Sequence, residues 1–118
     1  MQINKGPNLI VELTFEFALS IIKYAELLDS DRKYIISKQL LRSGTSVGAN
    51  VKEAQNAESK ADFIHKMKIA AKEAEETEYW LLLCKASNYS NCDALIDKCL
   101  TIIKILARII SSSKISGR

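Results

Sequence analysis

Between Gln39 and Ala54 the chain carries two helical phases at once, and few arrangements accommodate both. Read at about 100° per residue, Leu40, Leu41, Val47 and Val51 fall on one arc, while Gln39, Arg42, Ser43, Ser46, Asn50, Glu53 and Ala57 fall on another. The segment is therefore a helix with a polar seam as well as an apolar one. Solvent-facing helix positions seldom use serine, glycine and asparagine, which are poor helix formers, so another element must pack closely against the seam. Gly44 and Gly48 each cost up to about 1 kcal/mol relative to alanine. Both phases run through them without a register shift, so the helix is expected to continue, and glycines four apart leave a shallow groove for a close helix crossing.

The rest of the chain follows the same periodicity. Proline occurs once, at position 7, and glycine four times in 118 residues, so no proline breaks a helix after Pro7. Four helices are predicted, over roughly 8–28, 31–57, 60–86 and 92–112. Pro7 sits near the first turn of the first, where a missing N–H costs nothing. Asp29-Ser30-Asp31 ends that helix. Ser59 with Asp62 three residues later resembles a capping box opening the third, and Ser87-Asn88-Tyr89-Ser90-Asn91 is a turn cluster before the fourth. Ser113 to Arg118 reads as a frayed tail. Helices of this length joined by short connections favour an all-α, antiparallel up-and-down four-helix bundle, a single domain over 1–118.

Composition narrows the function classes. Seventeen basic residues face fourteen acidic ones, a net charge of +3, which permits contact with a polyanion without demanding it. The three cysteines, Cys84, Cys92 and Cys99, have no CxxC spacing, and His65 is the one histidine. They are read as reduced thiols packing as small apolar groups in a cytoplasmic protein. No metal site or cofactor site is expected. The segment from Met1 to Gly6 lacks the character of a signal peptide, and no stretch approaches the ~20 apolar residues that span a bilayer; no membrane association is expected.

The first and last helices are overloaded with apolar side chains. In the fourth, Leu95, Ile96, Cys99, Leu100, Ile102, Ile103, Ile105, Leu106, Ile109 and Ile110 leave only a thin polar stripe of Asp97, Thr101, Lys104 and Arg108. The first, with Phe15, Leu19, Ile22, Leu27 and others, is similar. Large contiguous apolar patches rarely stay exposed, so the bundle is expected to form a ring-like homo-oligomer through helices 1 and 4.

In the third helix Ala70, Ala74, Thr77, Trp80, Leu81 and Cys84 define the inward face, and Glu73 falls within that arc. A buried carboxylate needs a partner. A turn centred near residue 58 would place Ser43 opposite Glu73, Ser46 opposite Ala70, Gln39 opposite Thr77 and Asn50 opposite Lys66, with Arg42 beside Glu73 and Glu76 and Glu53 beside Lys66. A buried or half-buried network of Gln39, Arg42, Ser43, Ser46, Asn50, Glu53, Glu73 and Glu76 is expected, and its first role is to fix register. A di-iron reading fails because no Glu-x-x-His occurs. Glu73 and Glu76 as a catalytic pair lack a pocket and a nucleophile with an adjacent base, so no enzyme is expected. Tyr79 and Trp80 read as a boundary and core pair rather than a stacking platform. Lys60, Lys66, Lys68, Lys72 and Lys85 could build a basic surface that, repeated around a ring, holds phosphate backbones without reading sequence.

The combination Gln39-x-x-Arg42-Ser43-x-x-Ser46-x-x-Ala49-Asn50-x-x-Glu53-Ala54, then Asp62-Phe63-x-x-Lys66-Met67-x-Ile69-Ala70, then Lys72-Glu73-Ala74-x-Glu76-Thr77-x-Tyr79-Trp80-Leu81, resembles the bacterial four-helix-bundle proteins encoded in intervening sequences of large-subunit (23S) ribosomal RNA genes. The same fold is similar to the accessory variability determinant of diversity-generating retroelements. The resemblance implies a homopentamer that binds nucleic acid and supplies little chemistry. Ala54 stands where glycine is common in the family. The function expected is a non-catalytic homo-oligomeric scaffold that binds RNA or DNA; the alternative is an adaptor for another protein with no nucleic-acid binding.

Overall fold

A computed structural model of the chain describes residues 5–116. Four helices, α1 (Lys5–Ser30), α2 (Tyr34–Ala54), α3 (Lys60–Ala86) and α4 (Asp93–Ser116), account for nearly all of them. No strand occurs among the described residues. Each helix packs on its neighbours in sequence, α4 closes against α1, and the diagonal pairs do not meet. That is the contact pattern of an antiparallel four-helix bundle with short turns. Its principal extents are 49 × 27 × 21 Å. Met1 to Asn4, within the segment that lacks signal-peptide character, lie outside the described residues.

The boundaries follow from local chemistry. α1 begins at Lys5, so Pro7 is its third residue, a position whose N–H would have no intrahelical acceptor. At its other end α1 runs past Leu28 to Ser30 and leaves through Arg32 in the left-handed region, φ 62°. The Lys33 N–H then returns to the Leu28 carbonyl at 2.8 Å, and the Arg32 N–H to Asp29 at 2.9 Å, the paired bonds of a Schellman cap. α3 ends identically, with Asn88 at φ 61° and Tyr89 N–H on the Cys84 carbonyl at 3.0 Å. α3 starts where Ser59 accepts from the Asp62 N–H at 3.0 Å, while Asp62 accepts from the Glu58 N–H at 3.2 Å. The segment read as a frayed tail continues α4 as far as Ser116.

The two glycines of α2 face α1, not α3. A methyl group on Gly44 would lie 2.7 Å from Ile21 Cγ2, and one on Gly48 would lie 3.2 Å from the Thr14 carbonyl oxygen. Ser37 Oγ, also on this side, donates to the Ala25 carbonyl at 3.0 Å. The α2–α3 seam gains its closeness from Ser43, Ala70 and Ala74, all fully buried. The core joins Phe17, Ile21 and Leu28 of α1 to Leu40, Val47 and Val51 of α2, Met67 and Leu81 of α3, and Cys99, Ile102 and Leu106 of α4.

The apolar load lands differently from the expectation. Ile103, Ile105, Ile109 and Ile110 of α4 pack against the core as half-buried side chains; on α4 the large apolar side chains left exposed are Leu100 and Ile115. Five such residues stand on α1: Leu9, Phe15, Leu19, Ile22 and Leu27. Both neighbours, α3 and α1, pack on α4 and together cover a wider arc of it than one partner would. No helix of the described residues is long and apolar enough to cross a membrane.

Candidate functional site

The polar seam lies between α2 and α3. Arg42 projects across it and bridges two carboxylates one turn apart, Glu73 Oε1 at 3.3 Å and Glu76 Oε2 in a shorter contact. Glu76 Oε2 also accepts the Trp80 indole N–H at 3.0 Å, so the i, i+4 pair on α3 is tied to α2 through one carboxylate. The Arg42 guanidinium and the indole N–H hold the Glu76 carboxyl below its usual range, and the two carboxylates hold the guanidinium above its own. Beneath this layer Thr77 Oγ1 shares its proton between Ser43 Oγ at 2.9 Å and the Glu73 carbonyl at 2.7 Å, both hydroxyls being fully buried. Farther along, Lys66 Nζ meets Glu53 Oε1 at 3.4 Å.

Of the buried or half-buried network expected, the seam is the half-buried form, and part of it is local to α2. Arg42 keeps 50% of its side chain in solvent, against 19% for Glu73. Ser46 Oγ and Asn50 Nδ2 donate within α2, to the Arg42 and Ser46 carbonyls, and Gln39 is exposed. Ser43 meets Thr77, one turn on from the expected Glu73. Arg42 still reaches both glutamates because its side chain is long enough to absorb the difference. The bond between Trp80 and Glu76 escaped the sequence reading, although their spacing of four was visible.

The five lysines of α3 do not make one face. Lys68 and Lys72 are exposed and one turn apart, and Lys72 lies close enough to Glu76 to help depress it. Lys66 is held by Glu53, and Lys85 Nζ pairs with Asp93 Oδ1 at 3.0 Å. Lys60 lies in the first turn of the helix.

Candidate chemistry elsewhere is sparse. Cys84, Cys92 and Cys99 are free and buried. Cys99 Sγ donates to the Ala74 carbonyl at 3.2 Å and Cys92 Sγ to the Leu81 carbonyl at 3.4 Å. Burial pushes the Cys84 thiol up to about 11 and Cys99 up to about 12, so neither supplies a thiolate at neutral pH. Burial likewise raises the Tyr24 phenol, which donates to the Ser90 carbonyl. His65 is exposed. Among the described residues no three His, Cys, Asp or Glu side chains converge as a metal site.

The likeness to known proteins covers the whole bundle. A crystal structure of a protein of unknown function from the S23 ribosomal protein family of Bacteroides thetaiotaomicron is 42% identical, with 89% of this chain and 97% of that chain aligned at a TM-score of 0.85. No functionally curated protein matches. Residues 8–111 match the model of a single family, a span that takes in all four helices and both sides of the Arg42–Glu73–Glu76 seam; the chain belongs to the 23S rRNA-intervening sequence protein family.

Proposed function

We propose that this protein is a non-catalytic, cytoplasmic scaffold that works as a homo-oligomer, a pentamer if the family resemblance extends to assembly, and that the assembled particle holds RNA or another nucleic acid. The observation that carries the assembly is the apolar strip of Phe15, Leu19, Ile22 and Leu41, 37–63% exposed on a single protomer. Contiguous patches of that kind mark interaction surfaces. Free, unpaired cysteines support a reducing compartment. The packed α2–α3 seam with its ion pairs, and thiols that burial keeps protonated, favour binding over catalysis.

Solution mass is the deciding measurement. Light scattering across a wide range of concentration should give a stable multiple of the 13.2 kDa chain; a lone protomer throughout would overturn the scaffold. A second reading, an adaptor for another protein, draws on the lysines: the pairing of Lys66 with Glu53 and of Lys85 with Asp93 removes two of the five charges from a phosphate-binding face. Retention of labelled RNA that weakens as salt rises separates the two, because only phosphate contact releases counterions.

A further inference from the structure

The two Schellman caps lie at the same end of the bundle and bring their exit residues together, Lys33 Nζ standing 4.9 Å from the centre of the Tyr89 ring. Beside them opens a groove of about 570 Å³, lined by Arg32, Lys33, Tyr34, Gln39, Trp80 and Tyr89 with the aliphatic Ile35 and Ile36. Three aromatic rings from three elements, the start of α2, the end of α3 and the α3–α4 turn, thus share one concavity with two cations. Tyr34 is 56% exposed and Ile35 83%, so this apolar surface has no cover within the protomer. No carboxylate lines the groove: Asp29 and Asp31 belong to the same turn but stay outside its wall, and Glu76 is held by Arg42 and the Trp80 N–H. The grooves along α1–α2 and α1–α4 each include glutamate or aspartate. The groove's lining, two cations with three aromatic rings, suits an anion with flat apolar faces.

We propose that this groove binds single-stranded nucleic acid, a base stacking on the Tyr34 and Trp80 side while Arg32 and Lys33 take an adjoining phosphate. The inference rests on the nucleic-acid reading above but places the contact here, away from the α3 lysines. A duplex buries its base faces in its own stack, whereas a single strand can offer them to aromatic side chains. A free nucleotide is the poorer fit, because the phosphate partners are two long side chains with no preorganised backbone cradle. A strand adds contacts outside the groove and needs less from each. Stacking tolerates any base, so sequence preference is expected to be weak.

Trp80 is the one tryptophan of the chain, which makes its emission a direct reporter. The assembled protein is titrated at low salt with a labelled oligouridylate of about 12 nucleotides, with a duplex of equal length and with uridine monophosphate. Binding of the strand should quench Trp80, exceed that of duplex and mononucleotide, and weaken about tenfold or more in Tyr34→Ala, the loss of one base–aromatic contact. Tyr34→Phe should bind like wild type, and Lys68→Ala/Lys72→Ala should change affinity less than Tyr34→Ala. If the strand binds yet Tyr34→Ala binds equally well and emission is unchanged, the groove is not the site and the nucleic-acid reading survives. If nothing binds at low salt, both fall. A mononucleotide binding as tightly as the strand, or a change of oligomer mass in Tyr34→Ala that marks the groove as a subunit contact, would also overturn the proposal.

Discussion

Arg42 shows how a single long side chain sets the character of the α2–α3 seam. It is half exposed, so each of its two ion pairs is worth at most about 1 kcal/mol, yet removing it would leave the mostly covered Glu73 without its partner. Arg42→Met should therefore lower the melting temperature by a few degrees. Glu76 gives the same seam a pH signature. Its folded pKa lies below the unfolded value because Arg42 and the Trp80 N–H favour the carboxylate, so its contribution is complete above about pH 4.3 and disappears as pH falls through the folded value. Melting curves of wild type and Glu76→Gln should differ most near neutrality and converge on acidification; a gap that stays constant to pH 3 would show that the charge of Glu76 contributes nothing.

At the scale of the helix, the pairing of α1 with α2 turns on two glycines. Alanine at Gly44 would gain about 1 kcal/mol of helix propensity, but its methyl group would press to 2.7 Å from Ile21 Cγ2, and Ile21 is fully buried and branched at Cβ. Overpacking of this kind costs roughly 1–3 kcal/mol, so Gly44→Ala should destabilise on balance. Combined with Ile21→Ala, which empties the contested space, it should cost less than the two single changes added together, a coupling visible in denaturant midpoints. A rise in stability for Gly44→Ala alone would mean that the crossing is looser than it looks. The helices themselves were legible from periodicity, and the capping of α3 by Ser59 and Asp62 from two residues. The start of α2 was not: the chain leaves α1 through a left-handed arginine, where glycine or asparagine would have announced the turn, and the helix begins at Tyr34 rather than just after Ser30. The pairing of Arg42 with Glu73 and Glu76 could be read because charge demands a partner. The groove among Tyr34, Trp80 and Tyr89 could not, since it joins three segments distant in sequence and depends on how two turns sit side by side.

For the whole molecule, the question is which surface a second copy covers. The apolar load of α4 made it the first candidate with α1 beside it, but the folded chain hides most of the apolar side chains of α4 and leaves Leu9, Phe15, Leu19, Ile22 and Leu27 of α1 in the open. Ser37 bonded to Ala25, and Gly48 against Thr14, fix the α1–α2 register, which sets Ile22 opposite Leu41 and brings Phe15 alongside Thr45 and Ala49 on one shallow groove. Phe15, 63% exposed, and Leu19, 47% exposed, contribute little to the protomer core, so Phe15→Ser/Leu19→Ser should leave helix content intact. If copies join across this strip, the double variant should drop toward the 13.2 kDa protomer, and its melting temperature should lose the dependence on protein concentration that linkage to assembly confers. Leu100→Ser on α4, at 38% exposure, should leave the mass unchanged. The reverse pattern, dissociation by Leu100→Ser with the α1 double variant still assembled, would move the interface to α4 and leave the strip on α1 free for a different partner.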